Sequence, residues 1–220
     1  MKHLRFLVLA AIMTVLPLEA FGFDLTLGVK GGGALPFYSG TDYQETLLDA
    51  AGRQTELRFG YSAGMFVTIG IVNFLAVQPE VLYSALGGNF GDSSQTFKEN
   101  VTVLEIPVLL KARFRIGRLQ LSPFAGPDLL IPIGEWSNKL IDDSTGDVLL
   151  SGTFDMNDIR NAIIGVVMGA GVLIPLGAVS VSLDARYHLG LQSMYTEAFD
   201  WDVRQNAVQV LVGIGYNVIR

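Results

Sequence analysis

Apolar and polar residues alternate along most of the chain after residue 23. The clearest run spans residues 179–191, where apolar side chains at odd positions alternate with polar or small ones at even positions. This period of two is typical of a β-strand with one apolar face. Six further segments share it, and one segment, 162–174, is mostly apolar on both faces. The pattern therefore predicts eight strands, at 24–37, 57–69, 75–86, 101–115, 119–133, 162–174, 179–191 and 207–218.

The connections between these strands alternate in length. Four are long (38–56, 87–100, 134–161 and 195–206) and three are short (70–74, 116–118 and 175–177). Long loops at one end and short turns at the other are the layout of an outer-membrane β-barrel. The pattern therefore predicts an all-β fold, an eight-stranded antiparallel up-and-down transmembrane β-barrel of OmpA/OmpX-like architecture.

One segment also fits a different structure. Residues 162–181 carry no charge over twenty positions, so hydropathy alone makes them a candidate transmembrane helix. However, Pro175 and Gly177 lie within the segment and favour a tight turn. We therefore expect two strands there, with the helix as the weaker alternative.

Charged residues on the predicted strands all fall on the polar faces. Ten of them are Lys30, Arg58, Lys111, Arg113 and Arg186 on the basic side, and Asp24, Glu80, Glu105, Asp128 and Asp184 on the acidic side. A Lys or Arg facing the middle of a bilayer costs about 2–4 kcal/mol, so these faces should line the barrel interior. The rival is a soluble lipocalin-type barrel, which has the opposite polarity.

A network of these interior charges is the candidate functional site. Its predicted members are Arg58, Glu80, Glu105, Lys111, Arg113, Asp128, Asp184 and Arg186. We expect Glu80 and Glu105 to pair with Arg58, Lys111 and Arg113, and Asp128 and Asp184 to pair with Arg186. Buried charges need partners, so the network is interpreted as a structural plug. A narrow path for ions or water is the alternative.

His188 lies on the same polar face and is the one candidate for catalysis. A lipid-modifying enzyme would need a nucleophile near the rim, and no G-x-S-x-G turn is present. We therefore predict that the chain is not an enzyme, with no catalytic residues, no metal ligands and no cofactor.

Composition and the N-terminal sequence indicate where in the cell the protein is located. Only 16% of residues are charged, mean hydropathy is +0.42, Cys is absent and the net charge is −6. The acidic balance argues against a nucleic-acid partner. A basic start, an apolar stretch and small residues at Ala20 and Gly22 predict a cleaved signal peptide at 1–22. The barrel domain is then 23–220.

The predicted long loops are acidic, with fifteen acidic and five basic residues. Solvation alone accounts for such a surface, and a site for a surface ligand or divalent cation is the alternative. The densest cluster, at 142–147, lacks the full pattern of a calcium-binding loop, so a polar turn is favoured there.

Five short motifs follow one another along the predicted strands: LGVKGG at 27–32, VQPEVLYS at 77–84, LEIPVLLK at 104–111, PFAGP at 123–127 and LDARYHLG at 183–190. In this order they resemble the PorT-like outer-membrane β-barrel family of small Gram-negative barrels. The resemblance covers nearly all of 23–220 and implies an eight-stranded barrel in the outer membrane, with no implied enzymatic activity. The C-terminus departs from the aromatic ending common in such barrels, since the chain ends in Ile219 and Arg220.

These observations predict a monomeric protein of the cell outer membrane, exported through its signal peptide. The predicted partner is the lipid bilayer. The predicted role is structural, or surface interaction through the acidic loops. A narrow porin-like channel for small solutes is the alternative, and a lipid-modifying outer-membrane enzyme is the weakest one.

Overall fold

The computed structural model describes residues 24–45, 54–56, 58–91, 95–133, 137–153, 159–196 and 201–219. The predicted signal peptide, 1–22, lies outside these residues. The described chain forms twelve strands: β1 Leu25–Ser39, β2 Gln54–Glu56, β3 Gly60–Val72, β4 Leu75–Gly91, β5 Gln95–Ala112, β6 Phe114–Ile116, β7 Leu119–Pro132, β8 Ser137–Asp142, β9 Val148–Thr153, β10 Ile163–Leu176, β11 Val179–Gly190 and β12 Arg204–Ile219.

Eight of these strands close into a barrel. Going round it, the order is β1, β3, β4, β5, β7, β10, β11 and β12, with every pairing antiparallel. The first and last strands close the ring, since Gly28 lies opposite both Phe66 of β3 and Gly215 of β12. The prediction of an all-β, eight-stranded antiparallel barrel is therefore confirmed.

The apolar faces point out of the barrel and the charged faces point in. Val29, Met65 and Leu183 are 57%, 63% and 51% exposed, whereas Lys30 and Glu80 are 4% and 1% exposed. This polarity is the reverse of a lipocalin-type barrel, which keeps its apolar face inside. The structure thus excludes the soluble rival and fits a barrel whose outer wall contacts lipid.

The segment weighed as a helix is two strands. Residues 163–176 form β10 and residues 179–190 form β11, with a tight turn between them. Gly177 occupies that turn with φ +72°, a left-handed conformation that favours glycine. Among the described residues, no helix combines the length and the hydropathy of a membrane-crossing segment.

The long-loop end, which we call the outer end, contains more strand than the sequence predicts. β4 continues to Gly91 and β5 begins at Gln95, so much of the predicted loop 87–100 is a hairpin. The loop predicted at 134–161 contains the hairpin β8–β9, and β8 pairs with β5 from Gln95 to Asn100. These extensions lie beyond the barrel wall, where a strand need not have one apolar face. The alternation of apolar and polar residues therefore did not predict them.

Candidate functional site: the charged barrel interior

Lys30 is the centre of the buried charge network. Its Nζ lies 2.6 Å from Glu80 Oε1 and 2.8 Å from Asp184 Oδ2, with all three side chains at most 2% exposed. Lys111 adds a second ammonium group, 3.8 Å from Asp184 Oδ1, and donates to Gln78 Oε1 at 3.2 Å. β1, β4, β5 and β11 each supply an inward residue, so the network ties the barrel across its interior.

Arg186 joins this cluster to the next carboxylate along the barrel axis. Its Nη1 donates to Glu80 Oε2 at 2.8 Å, and its Nη2 lies 3.4 Å from Glu105 Oε1. Ser84 donates to Glu105 Oε2 at 2.7 Å, and Gln209 donates to the same oxygen at 3.1 Å. A guanidinium group can serve two carboxylates because it presents five donors in a fixed plane.

His188 and Asp128 form the third part of the network. His188 Nδ1 lies 2.8 Å from Asp128 Oδ2, and both side chains are at most 1% exposed. They lie on β11 and β7, with β10 between them, so the imidazole must cross that strand. Gly165 of β10 makes room, because a Cβ there would lie 2.6 Å from His188 Cε1.

The structure brings together six of the eight predicted site residues: Glu80, Glu105, Lys111, Asp128, Asp184 and Arg186. It also adds Lys30 and His188. Their pairing differs from the prediction, since Lys111 faces Asp184, while Glu80 shares Lys30 with Asp184. Alternation on one strand shows which way a residue points, whereas pairing depends on which strands face each other across the interior.

Arg113 and Arg58 do not pair with Glu80 or Glu105 as predicted. At the short-turn end, Arg113 Nη1 donates to both carboxylate oxygens of Asp24, at 2.9 and 2.7 Å. Arg58 precedes β3 at the outer end, where it donates to Asn89 and Asn100. Partial burial lowers the pKa of its guanidinium. Both predictions were wrong because Arg113 and Arg58 lie at opposite ends of the barrel, whereas the two glutamates lie between these ends.

The buried network contains more acids than bases. Glu80, Glu105, Asp128 and Asp184 face Lys30, Lys111 and Arg186, which leaves one negative charge if His188 is neutral. Glu105, Asp128 and His188 each offer an atom within 4.8 Å of the others, so they could hold a cation. Arg186 already provides a positive charge beside Glu105. We therefore describe the trio as part of the ion-pair network.

An apolar cluster closes the outer end of the barrel above these charges. We call it the outer cap; its members are Ala34, Tyr38, Tyr43, Leu86, Val101, Val103, Leu130, Ile159, Ile163, Met194, Tyr195, Val203 and Ala207, all 9% exposed or less. Segments after β1 and β11 fold inward to complete it, and the Tyr38 and Tyr43 rings meet edge to face at 5.8 Å. The sequence did not predict this cap.

A cavity opens at the opposite end, among the short turns. It has a volume of about 820 Å³ and is called the lower vestibule here. Lys111, Asp184 and Gln78 line it together with Arg113, Arg115 and Arg118. The barrel interior is thus open to solvent at the short-turn end and covered at the outer end.

The acidic loop cluster at 142–147 forms a tight turn. Asp142 Oδ1 accepts hydrogen bonds from Ser144 N at 2.8 Å, from the Ser144 hydroxyl at 2.5 Å and from Thr145 N at 3.3 Å. These bonds hold the pKa of Asp142 below its usual range. The carboxylate is thus engaged in the turn, which fits the polar turn favoured by the sequence.

The sequence matches a model of a known protein family. A family model described as an outer membrane protein beta-barrel domain matches residues 20–196. This chain belongs to that family of outer-membrane β-barrels. The family places this barrel in the outer membrane, and the outward apolar wall fits contact with lipid. No match is found among curated protein sequences.

Solved structures of other outer-membrane barrels are similar in fold. A major outer membrane protein from Thermus thermophilus has a TM-score of 0.51 at 12% identity, covering 89% of this chain and 99% of that one. OprG from Pseudomonas aeruginosa has a TM-score of 0.44 at 13% identity, covering 89% and 96%. Ail, the attachment invasion locus protein of Yersinia pestis, has a TM-score of 0.39 at 14% identity, covering 88% and 99%. At these identities, the similarity concerns the fold of this outer-membrane barrel alone.

Proposed function

We propose that this outer-membrane barrel is a closed, non-conducting scaffold that acts through its outer end. The observation that supports this most is the outer cap. Leu86, Met194 and Ala207 in the cap are at most 1% exposed, so water is excluded from that end of the interior. An ion crossing the barrel would have to pass both the cap and the paired charges beneath it.

Conductance tests the closed scaffold directly. We would refold residues 23–220, place the protein in a planar bilayer and record single-channel current. No discrete steps are expected from the natural sequence. A matched variant, Leu86→Ala with Met194→Ala, removes side-chain volume from the cap and serves as the comparison. Reproducible steps from the natural sequence, changing with Glu80→Gln, would overturn the proposal.

The narrow channel is the second candidate, and the lower vestibule is the observation that favours it. Its cavity of about 820 Å³ admits small solutes from the short-turn end. A channel also needs a route past Lys30, Glu80 and Arg186, whose side chains are at most 1% exposed. The same conductance experiment separates the two functions.

Surface interaction is the second half of the proposal. At the outer end, β2, β4, β5, β8 and β9 pair in a sheet that extends beyond the barrel. On β9, Val148, Leu149 and Leu150 are 53%, 45% and 68% exposed, close to the acidic turn at 142–147. This combination of acidic and apolar groups suits a basic, partly apolar partner.

A synthetic probe tests the surface role. Vesicles carrying the protein should bind a peptide of ten lysines at low salt, because exposed opposite charges attract weakly until salt screens them. Neutralising the turn with Asp142→Asn, Asp143→Asn and Asp147→Asn should weaken this binding, while Arg204→Gln should not. Equal binding by both variants would contradict a role for the turn.

We also propose that the chain is not an enzyme. The ring of His188 is 1% exposed and faces Asp128 inside the barrel, so a membrane lipid does not reach it.

We further propose a monomer, export through a cleaved signal peptide, a Gram-negative cell and membership of the PorT-like branch. The five ordered segments support that branch. Mass spectrometry of the mature N-terminus tests the cleavage, with a start near Phe23 expected.

A further inference from the structure

The lower vestibule carries more positive than negative charge. Lys111, Arg113, Arg115 and Arg118 line it, against Asp24 and Asp184. Asp24 neutralises Arg113 by accepting two hydrogen bonds from its Nη1, and Asp184 lies 3.8 Å from Lys111. Arg115 and Arg118 therefore account for the surplus, and neither has an ion-pair partner within the described part of the chain.

This surplus follows from how the chain distributes its charges. Within the part of the chain that the structure describes, every acidic residue except Asp24 lies either inside the barrel or at the outer end. Lys111 near the end of β5, Arg113 between the two strands and Arg115 in β6 occupy every second position, and all three line the vestibule. Arg118 follows in the tight turn where Gly117 has φ +62°. The short-turn end is thus basic, and the outer end is acidic.

The remaining lining of the vestibule is rich in neutral hydrogen-bonding groups. They include the side chains of Thr68, Gln120, Ser122, Ser180, Ser182 and Asn217. Hydroxyl and amide groups both donate and accept hydrogen bonds, so they complement a ligand that carries several hydroxyl groups. The volume of about 820 Å³ lies within the range of about 300–1,000 Å³ occupied by small-molecule sites.

We propose that the lower vestibule is a binding site for a sugar acid, a hydroxyl-rich solute with one carboxylate. Arg115 and Arg118 would bind the carboxylate, because the planar guanidinium group matches its two oxygens. The Ser, Thr, Asn and Gln side chains that line the cavity would bind the hydroxyl groups. The short-turn end of an outer-membrane barrel faces the periplasm, so the ligand would enter from there.

Titration calorimetry on the refolded full chain in detergent tests this site. The probe is glucuronate, and glucose and acetate are the matched probes that lack the carboxylate and the hydroxyl groups, respectively. We expect saturable binding of one glucuronate per chain, and no saturable binding of glucose. Failure of glucuronate to saturate, or equal binding of glucuronate and glucose, would overturn the proposal.

Variants locate the binding in the vestibule. Arg115→Gln with Arg118→Gln should weaken glucuronate binding at least about tenfold, as expected for lost hydrogen bonds to a charged group. Both arginines are exposed, so the barrel should still fold, which heat-modifiable gel migration checks. Arg204→Gln, at the outer end, should leave binding unchanged. An equal loss in both variants would place the site elsewhere and overturn the proposal.

The hydroxyl-binding part has its own test. Gln120→Ala with Ser182→Ala should weaken glucuronate binding while leaving the weaker binding of acetate unchanged. If acetate instead binds the natural protein as tightly as glucuronate, the carboxylate alone accounts for the interaction and the sugar-acid assignment is wrong. A conducting barrel would contradict the proposed closed scaffold without affecting this result, so the two proposals fail separately.

Discussion

The two ends of the barrel interior are filled by different chemistry. The part nearer the short turns holds Lys30, Glu80 and Asp184 in a buried ion-pair network, with the lower vestibule beneath it. The outer end holds Leu86, Met194 and the rest of an apolar cap. Charges on a membrane-spanning strand must point inward and find partners. Beyond the bilayer, segments can fold over the opening and pack as they do in a soluble core.

The largest expected effect comes from breaking the network at Arg186. Arg186→Met should lower the free energy of unfolding by about 3–5 kcal/mol, because Glu80 and Glu105 keep buried charges that have lost a partner. The measurement is urea unfolding of the protein in lipid vesicles, with the folded fraction read from gel migration. Arg204→Met is the control, since the Arg204–Asp202 pair is 44% and 29% exposed. Equal loss in both variants would contradict a buried network.

The matching change at the outer end is Leu86→Ala. Leu86 is 1% exposed, and truncating a fully buried leucine costs about 2–5 kcal/mol. The comparison predicts a further difference, since Leu86→Ala should increase protease cleavage in the outer segments while Arg186→Met affects the whole barrel. Identical cleavage maps for the two variants would show that the cap and the network unfold together.

Gly165→Ala tests how closely the network is fitted to the wall. The added Cβ would lie 2.6 Å from His188 Cε1, so the imidazole must move away from Asp128. Crowding of this kind costs about 1–3 kcal/mol, measured by the same unfolding assay. Gly33→Ala is a matched change on β1, where an added Cβ has nothing within 4 Å. A loss no larger than that of Gly33→Ala would be inconsistent with the His188 placement.

The smallest expected effect is a pH dependence confined to the cap. Burial and the nearby charge of Glu99 raise the pKa of Tyr195. The folded cap therefore keeps this proton at a pH where the unfolded chain has begun to lose it. The resulting stability is fully present below about pH 10 and is lost as pH rises, by at most about 1.4 kcal/mol per pH unit.

Protease cleavage of the outer segments between pH 8 and pH 11 measures this effect. Cleavage of the natural sequence should increase above about pH 10, and Tyr195→Phe should reduce that increase because its side chain does not titrate. The outer segments of Arg204→Gln should respond to pH as the natural sequence does. An unchanged alkaline response in Tyr195→Phe would show that Tyr195 does not control the cap.

Alternation along each strand was enough to predict the barrel and the inward direction of its charges. A charge that faces lipid costs free energy. The alternation of apolar and polar residues therefore shows, even in a single sequence, which face of a strand points into the barrel and which points out. Glu80, Glu105 and Asp184 were placed correctly on the inner face for this reason. At 162–181, Pro175 and Gly177 favoured a turn over a helix, and the structure forms two strands there.

Which charges pair was decided by the tertiary structure. Asp184 meets Lys30 from a strand 154 residues away in sequence, because closure of the barrel sets which inner faces oppose each other. The outer cap was decided in the same way, since Tyr38 of β1, Leu86 of β4 and Met194 of the segment after β11 come together only when the barrel has closed. Alternation is a local property of one strand, whereas pairing across the interior and closure of its end depend on the position of every strand at once.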